Sequence, residues 1–173
     1  MKTRQSGRST NDENSLAAYL HSHQIAAAAG DRLFGQAART WKDSARAQTI
    51  ARIRTEVRTD KTALETITAS LGLGIPAYKK PFAWAAALLG SLGPTNPLHA
   101  RSGAAEQLEL EALISAVTGK SLLWKTLLRL SATDPHIRHE EVTLLLERAT
   151  RQLRELEDLL AETSPERFTD ASQ

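Results

Sequence analysis

The sequence predicts an all-α protein, a four-helix bundle with a short extra helix in a long connection between its second and third members. Three observations predict it. Ala and Leu are abundant, whereas aromatics supply only 5% of the residues, which disfavours strands. No stretch alternates apolar and polar residues cleanly enough for a sheet. Four long segments instead place apolar residues at steps of three and four, the spacing that lines one face of a packed helix.

The first helix is expected over about 15–38, with the stripe Leu16, Leu20, His23, Ala27, Gly30, Phe34 and Ala37. The second runs over about 42–71 on Ile50, Ile53, Val57, Asp60, Leu64, Ile67 and Leu71, with Thr40 and Asp43 as a start signal and Gly72 as a stop. The third, about 102–130, is apolar on more than one face: Leu110, Leu113, Val117, Trp124 and Leu127 on one, Ala105, Ala112, Ala116, Gly119 and Leu123 on another. Such a wide apolar arc marks a central helix. Asp134-Pro135 supplies a cap and a first-turn proline for the fourth helix, about 135–162, whose seam is Val142, Leu146, Ala149, Leu153, Leu156 and Leu160.

Residues 73–101 are rich in Gly and Pro and carry one short apolar helix, about 78–89. A connection of that length travels the length of a bundle, which makes the second and third helices parallel while the flanking hairpins are antiparallel. The bundle domain is expected over 13–162, between polar, disordered tails at 1–12 and 163–173.

Composition narrows the chemistry. The chain has no cysteine, which removes disulfides, thiolate catalysis and thiolate-bound metal clusters. The N-terminus lacks the apolar core of a signal peptide, and the longest apolar run, 81–92, is shorter than the roughly 20 residues needed to span a bilayer. A cytoplasmic protein is expected. With 22 basic and 20 acidic residues, the net charge of +2 is too even to imply a polyanionic partner. Basic residues do gather near the first turn and along the second helix (Arg39, Lys42, Arg46, Arg54, Arg58, Lys61). That end is where a nucleic acid or membrane surface would dock. No recognition helix with base-reading residues accompanies it, so no specific nucleic-acid partner is expected.

Two seam positions are polar. Counted outward from a turn near Trp41, His23 and Asp60 fall at the same level of antiparallel neighbours, so a contact between them is expected. Glu56, one turn from Asp60, and Glu109 on the third helix complete a candidate metal set: His23, Glu56, Asp60 and Glu109. The plainer expectation is a buried His–Asp pair with no cofactor, each group satisfying the other at low dielectric. Gly119-Lys120-Ser121 has the ending of a phosphate-binding loop, but Ile114 stands where that loop needs glycine, and the segment reads as mid-helix. His136 and His139 read as a solvated pair.

Four long helices, a long second connection and charged seam residues resemble the ferritin-like superfamily. Glu56-Val-Arg-Thr-Asp60, Leu108-Glu109-Leu-Glu-Ala112 and Val117-Thr-Gly-Lys120 are similar to small uncharacterised bacterial helical proteins of this type. The resemblance implies iron, manganese or zinc in the bundle core. The superfamily's Glu-x-x-His pattern occurs nowhere in the chain, which implies a site lost or reduced. The expected function is therefore a non-catalytic bundle acting through interactions or self-association, as in a homodimer. Metal binding at the reduced core site, or surface binding by the basic end, are the alternatives.

Overall fold

The computed structural model describes residues 10–42, 44, 46–73 and 103–169. The short helix expected over 78–89, nearly all of the long connection, most of the N-terminal tail and the last four residues lie outside the described residues. The described residues form four helices and no strand: α1 (Thr10–Thr40), α2 (Ala47–Ser70), α3 (Gly103–Leu130) and α4 (His139–Thr169).

Side-chain pairs fix the helix directions. The end of α1 meets the start of α3, where Trp41 Nε1 donates to Glu109 Oε2 at 3.0 Å. The start of α1 meets the end of α3, where Tyr19 Oη donates to Thr126 Oγ1 at 3.3 Å. Arg46 at the head of α2 approaches Glu162 and Glu166 near the end of α4, both at 3.5 Å, and Ser70 at its tail bonds the His136 carbonyl. Hence α1 is antiparallel to α2 and α3, and α4 is antiparallel to both α2 and α3. The second and third helices run parallel across the diagonal, as the long connection predicts. The sequence left open which helices are neighbours: α1 packs beside α3, and α2 beside α4.

The core is filled in the main by the expected stripes, with Leu33 added on α1. Leu20, Leu33 and Phe34 of α1 meet Ile50, Ile53 and Leu64 of α2, Leu110, Leu113, Trp124 and Leu127 of α3, and Val142, Ala149 and Leu156 of α4. Each large side chain removed from water contributes about 1.5–3 kcal/mol. On α4 the buried line is Val142, Leu145, Ala149, Gln152, Leu156, Leu159 and Thr163, rotated from the expected one and interrupted by a glutamine.

The helix ends differ from expectation for local reasons. Asp134 does not cap α4; its Oδ1 accepts from the His136 backbone N–H at 3.0 Å, closing a turn that delays the helix to His139. At the other end α4 continues through Pro165 into the expected tail. Tertiary contacts hold that last turn: the Arg167 guanidinium lies over the Trp41 ring, 5.1 Å from its centroid, and Nη1 donates to Gln107 at 2.8 Å. Gly72 ends α2 as expected. It takes φ +64°, and its N–H returns to the Ala69 carbonyl at 3.0 Å.

Candidate functional site

Halfway along the bundle, charged side chains from three helices meet in the core. Asp60 faces inward from α2 because it occupies a stripe position, and it is only 1% exposed. Lys120 of α3 reaches across the diagonal and donates from Nζ to Asp60 Oδ2 and to Gln152 Oε1, each at 2.5 Å. Arg148 of α4 brings Nε to 3.1 Å from Asp60 Oδ1. The amide nitrogen of Gln152 donates to Glu56 Oε2 at 2.8 Å, one turn back on α2. Arg151 and Arg52 hold Glu56 Oε1 at 3.0 and 3.1 Å, and Arg52 also pairs with Glu155.

This arrangement sets the protonation states. Burial pushes the Lys120 ammonium below the ordinary lysine range; the bond to Asp60 opposes that push, and the nearby Arg148 charge adds to it. Burial alone would raise Glu56. The Gln152 hydrogen bond and the Arg151 and Arg52 charges outweigh it, leaving the carboxyl below its ordinary value. A buried carboxylate flanked by two cations is stable only while both remain, since removing one partner strands the other charge at low dielectric.

His23 stands on the other side of Asp60. Its ring meets Tyr19 edge-on, with centroids 4.6 Å apart, and burial lowers its pKa from 6.5 to about 4. The imidazole is therefore neutral at neutral pH. The two residues expected to touch do share a space: His23, Asp60 and Lys120 line a cavity of about 40 Å³ between α1, α2 and α3. Its remaining walls are mostly small or apolar, including Ala27, Gly30, Ala116 and Trp124. Asp60 takes its charged partners from Lys120 and Arg148.

The four candidate metal ligands are dispersed. His23 and Asp60 border the cavity, whereas Glu56 is turned toward Gln152 and Arg151. Glu109 is buried against Trp41, eleven positions or about 16 Å of helix rise from the level of Lys120. Among the described residues no three His, Asp or Glu side chains converge to hold a metal ion. The basic stretch meets acids: Arg54 and Arg58 both approach Asp31 of α1, and Lys61 pairs with Glu65 one turn on along α2. His136 and His139 are exposed and bond Asp134 and Ser131 respectively.

The chain matches no known protein family, no curated protein and no solved structure. No helix among the described residues is long and apolar enough to cross a membrane.

Sequence reasoning missed Lys120, Arg148 and Gln152. A signal existed for two of them. Lys120 continues the Leu113, Val117, Trp124, Leu127 seam at steps of three and four, and Gln152 occupies the matching place in the true α4 line. Each was visible as a polar gap in a greasy row.

Proposed function

We propose that the chain is a non-catalytic helical-bundle protein acting through interactions or self-association, with a ferritin-like arrangement and a polar core that locks helix register. The observation that carries this reading is Asp60, held from two helices by Lys120 and Arg148. A core carboxylate held by cations from two other helices specifies one alignment of three helices. The ferritin-like assignment is supported by the helix order: two antiparallel hairpins, a parallel second and third helix, and the first beside the third.

Metal binding is the second reading, favoured by the cavity that His23 and Asp60 share. Elemental analysis separates the two. Protein purified without chelator, then exposed to iron, manganese or zinc and desalted, is expected to retain no stoichiometric metal. One metal per chain that disappears in His23→Ala would replace the interaction reading with the metal reading. Sedimentation equilibrium tests self-association, with a mass of twice 18.9 kDa as the expected dimer. A single-chain mass at every concentration removes the homodimer.

A further inference from the structure

Among the described residues, the large hydrophobes left open to solvent are Leu108, Leu122, Leu144 and Phe168. Two of them share one face. Leu108 and Leu122 of α3 are 45% and 55% exposed and stand fourteen positions apart, close to four helical turns, so they point the same way. Steps of three and four carry the same row through Ala112, Ser115, Gly119 and Thr126. No charge falls on it. The row lies on the outer side of α3, away from the core line Leu113, Val117, Trp124 and Leu127. Leucines scattered singly over a surface are ordinary, but two aligned on an uncharged row of this rhythm form a face suited to another helix.

The face is complementary to itself. A two-fold axis perpendicular to α3 and level with position 117 sets a second copy antiparallel. Leu122 and Ala112 stand five positions either side of that axis, so Leu122 meets the partner's Ala112. Gly119 meets the partner's Ser115, and Leu108 meets the partner's Thr126. Each leucine thus faces a smaller residue, and the small central pair lets the helix axes approach to about 8 Å. Charge fixes the direction. Glu111 and Lys125 are both exposed and flank the row on one side, six positions before the axis and eight beyond it. In the antiparallel pair they come within two residues' rise of each other, about 3 Å along the helix, and do so twice. A parallel pair would set Glu111 beside Glu111 and Lys125 beside Lys125, and flanking charges of this kind select the orientation.

We infer that two copies of this chain pair through the outer face of α3, from Leu108 to Thr126, antiparallel about a two-fold axis level with position 117. The inference rests on the self-association reading and gives it an interface. The row is about 27 Å long on a helix about 10 Å across. Such a contact stands at the small end of specific interfaces, so the dimer dissociates at micromolar concentration. The face lies outside the Asp60 network, and pairing leaves those ion pairs as they are.

Sedimentation equilibrium of the full chain, from micromolar to millimolar concentration, reads the dimer. Leu122→Lys puts an unpaired charge into the contact and is expected to raise the dissociation constant by about tenfold or more. Its helicity by circular dichroism should not change, because the residue is exposed in the single chain. If helicity is lost, Leu122→Gln replaces it. Leu144→Lys, at a comparably exposed leucine on α4, is expected to leave the dimer intact. Glu111→Lys and Lys125→Glu are each expected to weaken pairing severalfold, and both changes in one chain to restore it. A wild-type chain that stays single throughout removes the homodimer and this interface together. A dimer unchanged by Leu122→Lys, or lost equally in Leu144→Lys, keeps self-association and refutes the α3 face. Failure of the double charge exchange to restore pairing overturns the antiparallel arrangement.

Discussion

Asp60 and its partners account for most of what single substitutions should do. Asp60→Ala leaves Lys120 and Arg148 facing each other around an empty position, and an expected loss of about 3–5 kcal/mol follows from stranding a buried charge. Urea unfolding measures it, and the double change Asp60→Leu with Lys120→Met is expected to lose much less. Gly30→Ala points the other way. The added carbon meets nothing within 4 Å, and alanine in a helix interior is favoured over glycine by about 1 kcal/mol, so the urea midpoint should rise. His23 sets an acid dependence. The unfolded imidazole takes up a proton near pH 6.5 and the folded one only near 4, so stability present above that window is lost as pH falls through it. Glu56, held below its ordinary value, adds to the loss as pH drops through its folded pKa. His23→Gln should flatten the slope of urea midpoint against pH in the histidine window. Polar interruptions at His23 and Asp60 were legible in the sequence because both sit where the apolar rhythm demands a hydrophobe. Arg148 was not, because its stem runs beside the buried line of α4 and only its head reaches Asp60.

Helices as units followed the apolar period closely, and their ends did not. The period is imposed by burial along twenty or more residues, whereas an end is decided by a few hydrogen bonds. Gly72 is the exception: its left-handed backbone is a local demand that glycine meets at least cost, and Gly72→Ala is expected to lower stability by about 1 kcal/mol in urea. The last turn of α4 was invisible in sequence because Pro165 reads as a stop. It persists through the stacking of Arg167 on Trp41 and its bond to Gln107, contacts formed only after the bundle closes. Arg167→Ala should release that turn, costing about 1–2 kcal/mol and altering Trp41 fluorescence. The start of α3 is part of the same joint. A Cβ on Gly103 would lie 2.6 Å from the Arg167 carbonyl oxygen, so the two helix ends can approach only with glycine there.

For the molecule as a whole, connection length revealed the parallel diagonal, but nothing in the apolar pattern said which helices are neighbours. That choice rests on individual pairs such as Trp41 with Glu109 and Arg46 with Glu166, each between positions more than sixty apart in sequence. The parallel diagonal also makes the long connection obligatory. Returning along α2, with 24 residues and therefore about 36 Å long, takes at least about 11 extended residues. Replacing residues 74–102 by four glycines should force a strand-exchanged dimer or loss of the fold, read by mass and circular dichroism. One consequence of the helix directions concerns force. Because α1 begins at one end of the rod and α4 finishes at the other, a tether attached through both termini would load the hairpins lengthwise. The ion network would then resist as a rivet in shear, all of its bonds at once, instead of opening one turn at a time like a zipper.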